Sequence, residues 1–181
     1  MPADLQFPVV FHGTNYIVHV KLRPGLKKFL EAVSKIFEVV VFTASQKVYA
    51  DALLNLLDPG TSNFVSFTSE SHVAQQSPKD GQYIHHRLFR ESCIQVEGNF
   101  LKDLSVVNRP LCSTILVDNS PHAFGYQLDN GIPIESWFDD PKDKELKKLL
   151  KFLRQIVQDN DVRPAIRSKF ESHSLVDGAC D

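Results

Sequence analysis

The stretch Thr114-Ile115-Leu116-Val117-Asp118-Asn119-Ser120-Pro121 decides how this sequence is read. An apolar, β-branched run stops abruptly in polar residues and a proline. Short apolar runs bounded by turn formers mark strands buried on both faces, as in parallel sheets. Val39 to Phe42 repeats the pattern and ends in Thr43-Ala44-Ser45. Helical spacing fills the gaps. Leu26, Phe29, Leu30, Val33 and Phe37 share a face, with Pro24 suited to a first turn. Val48, Ala52, Leu53, Leu56 and Leu57 share another, which Asp58-Pro59-Gly60 ends. Leu146, Leu149, Leu150, Leu153, Ile156 and Val157 make a third. Buried strands alternating with amphipathic helices predict an α/β fold, a mostly parallel sheet flanked by helices.

Outward from that frame, Tyr16 to Leu22 alternates as a strand does, and Arg23-Pro24-Gly25 stops it. Short strands are expected at Arg87 to Phe89, Cys93 to Val96 and Ile132 to Ile134. Residues 60–82 are dominated by Ser, Thr, Gln, Lys and Asp, and read as an inserted polar loop. The lysines of the third helix lie mostly opposite its apolar face, beside Asp139, Asp140, Asp143 and Glu145. That mixture reads as a solvated surface rather than a phosphate-binding patch. Arg163-Pro164 opens a terminal helix. The expected organisation is one domain over 1–170 and a loose tail over 171–181.

The 181 residues suffice for one full core. A net charge of −2 argues against a general nucleic-acid binder, so a charged partner needs a local site. Cys93, Cys112 and Cys180 are odd in number and form no C-x-x-C pair, which fits a reducing compartment. No leader pattern or membrane-length apolar run is seen, and a soluble nuclear or cytoplasmic location is expected.

In open α/β sheets, chemistry sits where the carboxyl ends of the strands emerge. That places Thr43-Ala44-Ser45 and Asp118-Asn119-Ser120 at the site. A Thr43 hydroxyl donates to a phosphate oxygen, Lys102 supplies a point charge, and Asp118 and Asn119 offer the hard oxygens that Mg²⁺ prefers. Singly, each has a plainer reading as a helix cap, a solvated lysine or a turn. Their combination and order point to phosphoryl transfer.

The blocks LRPGLKKFLE, VVVFTAS, KVYADALLNLLDP, RLFRESC, GNFLKDLS, ILVDNSP and NGIPIESWF occur in this order along nearly the whole chain outside 60–82. With them the sequence resembles the small C-terminal-domain phosphatases of the haloacid dehalogenase superfamily, and most nearly the longer, nuclear small-phosphatase-like branch. The resemblance implies a Mg²⁺-dependent phosphatase acting on phosphoserine through an aspartyl-phosphate. Its substrates would be the C-terminal repeats of RNA polymerase II or signalling transcription factors, with no direct nucleic-acid contact and no membrane. Thr43 would bind phosphate and Arg90 would contact the substrate phosphate. Lys102 would neutralise the nucleophile and the transferring group. Asn119 would ligate Mg²⁺, with Asp118 beside it at the metal and orienting Lys102.

The family's first motif, a strand ending in D-x-D-x-T, supplies nucleophile and general acid-base. It lies upstream of the segment matching LQFPVVFHG, and the chain begins at Met1, four residues before that segment. The expectation is therefore a domain without its nucleophile or its central first strand. Such a chain is inactive or a truncated isoform, and its Mg²⁺ binding is weak. The alternative is a non-catalytic module that binds phosphoproteins. Asp4 is isolated, and Asp159-Asn160-Asp161 follows a helix, so it reads as surface charge.

Overall fold

A computed structural model describes residues 3–58 and 83–170. The polar segment 60–82 and the tail 171–181 lie outside the described residues. Packing divides the chain into two compact units, 1–89 and 90–181.

The first unit opens with a hairpin. β1 (Leu5–Phe11) pairs antiparallel with β2 (Thr14–Val20), Phe7 opposite Val18 and Val9 opposite Tyr16. The turn residues His12 and Gly13 both have positive φ, 48° and 75°. Such two-residue turns match the twist of the strands they join. Phe7 and Val9 are buried and their neighbours are not, the period of a half-covered strand. Gly25 then takes φ 81° and helix α1 (Leu26–Val33) begins, burying Leu30 and Val33. β3 (Val40–Phe42) pairs parallel with β4 (His86–Leu88). Between them runs α2 (Lys47–Leu57), whose Ala50 and Leu54 pack with Ile84 and Phe89. Asp58, fully buried after α2, accepts the N–H groups of Tyr83 and Ile84 at 2.6 and 2.7 Å. One carboxylate thus joins the end of α2 to the approach to β4.

In the second unit, β5 (Ile94–Val96) and β6 (Asn99–Leu101) form another hairpin, turned on Glu97 (φ 50°) and Gly98 (φ 81°). β7 (Leu116–Asp118) pairs parallel with β8 (Gly131–Pro133). Phe124, Ile132 and Ile166 are the most deeply buried apolar side chains here. A Cβ on Gly131 would lie 2.4 Å from Phe124 Cγ, so the close approach of ring and strand requires glycine. Buried Asn130 donates to the carbonyls of Leu111 and Thr114 at 2.6 and 2.7 Å. Helix α3 (Glu145–Ile156) buries Leu146, Leu149, Phe152, Leu153 and Ile156. Helix α4 (Arg163–Phe170) buries Ile166.

The expected strands and helices are present, but the expectation of a mostly parallel sheet is corrected. Among the described residues the strands form four two-stranded pairs, two parallel and two antiparallel. The antiparallel pairs arise where two residues with positive φ reverse the chain directly, leaving no room for a helical crossover. Among the described residues no helix is long and apolar enough to cross a membrane.

Candidate active site

Lys102 follows β6 directly. Its backbone N–H donates to the Ala123 carbonyl at 2.8 Å, which fixes where the side chain starts. The residue is buried, and its ammonium Nζ donates to Asp118 Oδ2. Asp118 ends β7, and its side chain is only 11% exposed. Its Oδ1 accepts the Ser120 N–H at 2.8 Å, and its carbonyl accepts the Ile134 N–H at 3.0 Å. Strand pairing to β8 and the Ser120 turn thus aim this carboxylate before any ligand arrives. A buried ion pair of this kind is sustained only where further hydrogen bonds complete it.

Asn119 stands next in the chain and is exposed. Its Nδ2 donates to Ser136 Oγ at 3.0 Å, so the amide presents Oδ1 as its remaining acceptor. Arg90 opens a short 3₁₀ turn, Arg90–Ser92, with its guanidinium over the Phe100 ring at 5.2 Å. Cys93 reports on the surroundings. Burial pushes its thiol pKa up, Lys102 and Arg90 pull it down, and Asp118 and Glu91 raise it. Arg90, Lys102 and Asp118 therefore share one electrostatic neighbourhood.

Thr43 belongs to the first unit. It follows β3, donates its N–H to the Leu88 carbonyl at 2.9 Å, and its Oγ1 accepts the Ser45 N–H at 3.0 Å. Part of the hydroxyl's capacity thus serves the local turn.

By donor chemistry, Asp118 and Asn119 suit an oxygen-seeking cation such as Mg²⁺. Among the described residues, no group of three or more His, Cys, Asp or Glu gathers around them. Asp118 is engaged by Lys102 and Ser120, so a cation would compete for its oxygens. The donor set fits in kind and is partial in number.

Ser136 was not among the residues singled out from sequence, although it lies in the block NGIPIESWF. Phe100 lies likewise in GNFLKDLS. Only the fold brings either beside its partner. The D-x-D at 159–161 is used locally: Asp161 accepts from Arg163 Nη2 at 2.7 Å and from its backbone N–H at 3.0 Å. These bonds lower the Asp161 carboxyl to about 2.

The model of the family described as NLI interacting factor-like phosphatase matches residues 1–79 and 65–163. CTD small phosphatase-like protein 2 of Dictyostelium discoideum is 48% identical over 175 residues, covering 97% of this chain and 27% of that protein. CTD small phosphatase-like protein 3 of Caenorhabditis elegans is 45% identical, over 93% of this chain and 52% of that protein. Human carboxy-terminal domain RNA polymerase II polypeptide A small phosphatase 1 is 38% identical, over 91% and 55%. The chain thus spans about a quarter to about half the length of these curated relatives. Among solved structures, Fcp1, an essential RNA polymerase II CTD phosphatase, superposes with a TM-score of 0.65 at 16% identity, covering 93% of this chain and 56% of that one. That likeness shows the fold, an α/β arrangement shared with Fcp1.

Proposed function

Because the chain belongs to the NLI interacting factor-like phosphatase family, we propose that it forms the phosphate-holding part of a Mg²⁺-dependent protein serine phosphatase. Its substrates are phosphoserine segments such as RNA polymerase II C-terminal repeats or those of signalling transcription factors, met in the nucleus or cytoplasm. The observation that carries this reading is the buried Lys102–Asp118 pair with Asn119 beside it. A charge held in place by a strand-end carboxylate stabilises a transferring phosphoryl group without rearranging during the reaction. Asp118 orients Lys102, and Lys102 meets the phosphoryl oxygens. Arg90 grips the substrate phosphate. Thr43 is assigned to phosphate by its place in VVVFTAS. Asn119 Oδ1, with Asp118, would hold Mg²⁺, which when bound neutralises charge on those oxygens.

The reaction class also needs an aspartate that attacks phosphorus. In the 181 residues the sequence D-x-D occurs once, at 159–161, where Arg163 engages Asp161. Asp118 is tied to Lys102 and Ser120, which suits an orienting carboxylate better than a nucleophile. The 181-residue polypeptide by itself is therefore proposed to hold phosphoserine and hydrolyse it slowly or not at all. In the second reading, a phosphoprotein-binding module, that holding is the whole function.

The test is an assay of the purified polypeptide with Mg²⁺ against p-nitrophenyl phosphate and a phosphoserine peptide, alongside a phosphopeptide pull-down. Retention that Lys102→Ala weakens, with turnover near background, is expected. Clear turnover abolished by Lys102→Ala would overturn the inactive reading and support an enzyme. Retention indifferent to Lys102→Ala would remove the phosphate-holding assignment.

A further inference from the structure

Helix α3 carries a cationic face on which Lys148 is ion-paired, to Glu145, and the other four cations enter no ion pair among the described residues. Lys144, at its N-terminal boundary, is exposed, as are Lys147, Lys148, Lys151 and Arg154. At 3.6 residues per turn these five fall within an arc of about 120°, opposite the buried leucines. Nearby acidic residues are drawn into the helix's own start. Asp140 Oδ1 accepts the Lys142 N–H at 2.8 Å, Asp143 Oδ1 accepts the Glu145 N–H at 3.2 Å, and Glu145 pairs with Lys148 at 2.6 Å. Lys144, Lys147, Lys151 and Arg154 enter no ion pair among the described residues.

Local physics disfavours this arrangement. Like charges three or four residues apart repel, as do Lys144 with Lys148, Lys147 with Lys151, and Lys151 with Arg154. Lys144 occupies the N-cap with no side-chain capping bond, at the positive end of the helix dipole. An anionic ligand across the face relieves both penalties.

We propose that the exposed face of α3 docks a phosphoserine-bearing segment of a protein substrate, separately from the residues assigned to the reacting phosphate. The spacing suits an extended peptide. Lys147 and Lys151 lie ~6 Å apart along the helix axis. Residues two apart in an extended chain are separated by about the same distance. Anionic groups at alternate peptide positions thus meet successive lysines. Membrane insertion is disfavoured because the apolar side of α3 is buried in its own unit. The formal net charge of −2 disfavours a nucleic-acid partner. The choice of phosphoserine as the anion rests on the phosphatase reading, whereas the cationic face does not.

Fluorescence anisotropy tests this with the 181-residue chain and a labelled peptide carrying phosphoserine at alternate positions. The unphosphorylated peptide, duplex DNA and anionic vesicles serve as competitors. The wild-type chain binds the phosphopeptide, and binding weakens as salt rises. The double variant K147E/K151E binds at least about tenfold more weakly, a loss of ~1.4 kcal/mol. Its thermal midpoint without peptide equals or exceeds that of the wild type, because the reversed positions attract Lys144, Lys148 and Arg154 three residues away, which offsets the like-charge contact they keep with each other. Lys102→Ala leaves the effect of this reversal in place. The proposal is overturned if K147E/K151E binds as the wild type does, if DNA or vesicles outcompete the phosphopeptide, or if the wild type does not bind it. Loss of binding in Lys102→Ala with none in K147E/K151E overturns the docking face and spares the phosphatase reading.

Discussion

The buried charge on Lys102 is tolerable because Asp118 neutralises it. Their side chains are 10% and 11% exposed, so removing one strands the other in a medium that solvates it poorly. Lys102→Met is expected to destabilise the chain by ~3–5 kcal/mol, the usual penalty for breaking a buried pair. Lys102→Met/Asp118→Leu removes both charges and is expected to recover part of that loss. Urea unfolding of the two variants and the wild type measures this. A double variant less stable than Lys102→Met would show that Asp118 is not stranded by the single change. Gly131 makes a second residue-scale prediction. Its missing Cβ leaves room for the Phe124 ring, which has no exposed surface into which to move. Gly131→Ala should lower stability by ~1–3 kcal/mol, the range for overfilling a packed core. A thermal midpoint within error of the wild type would show that the ring relocates freely. At this scale the sequence was informative about Asp118 and Asn119, which end or follow a recognisable strand block, and about Lys102 through the block GNFLKDLS. It was silent on Ser136, whose bond to Asn119 spans 17 residues and depends on where β8 delivers the chain.

Elements are held by a few junction residues, and Asp58 is the clearest. A carboxylate at a helix C-terminus opposes the dipole. Here it is kept by the Tyr83 and Ile84 N–H groups, which convert the liability into a link between α2 and β4. Asp58→Ala leaves both donors short of an acceptor, at ~1–3 kcal/mol for the buried Ile84 N–H and less for the half-buried Tyr83 N–H. Asp58→Asn retains an acceptor oxygen and is expected to lose less. Chemical denaturation ranks the two, and equal losses would argue that burial rather than the N–H bonds governs this position. The same element level explains what a linear reading caught and missed. Helices α1, α2 and α3 each present a sustained apolar face, so their presence was legible. β6 was missed because three residues carry almost no periodicity. β1 was obscured by Pro8, which usually argues against a strand yet sits here opposite Ile17 in a two-stranded pair. The cationic face of α3 was legible as a pattern, but its charge balance was not. Of the neighbouring acids, Glu145 pairs with Lys148 and Asp143 also raises the pKa of Lys148, while Asp140 accepts the Lys142 N–H.

At the scale of the molecule, the two units contain titrating groups set for different pH ranges. In the first unit, His85 Nδ1 accepts the Val39 N–H at 3.0 Å, beside the start of the β3–β4 pair. Burial, then the neighbouring charge of His86, lowers its pKa below 6.5, while Glu38 and Asp58 pull the other way. The unfolded chain therefore takes up the proton first. Stability from neutral His85 is full above pH 6.5 and falls as pH drops from there through the lowered folded value. A protonated ring also cannot accept the Val39 N–H. In the second unit the shifted carboxyls lie lower. Asp103 is held below 3.8 first by the Ser105 N–H, and Asp161 is brought to about 2 by Arg163. Their contribution persists above pH 3.8 and is lost only as pH falls below it, with Asp161 exposed and therefore screened by solvent. Acid is thus expected to loosen the first unit before the second. Hydrogen exchange followed by mass spectrometry, corrected for intrinsic rates, should show protection around 39–42 and 84–88 weakening as pH falls below 6.5. Protection around 103–107 and 161–170 should hold until pH falls below about 4. In His85→Gln, which retains an acceptor but does not titrate, the early step should disappear. If both regions lose protection together, or if His85→Gln keeps the early step, acid sensitivity in this chain does not originate at the β3–β4 junction.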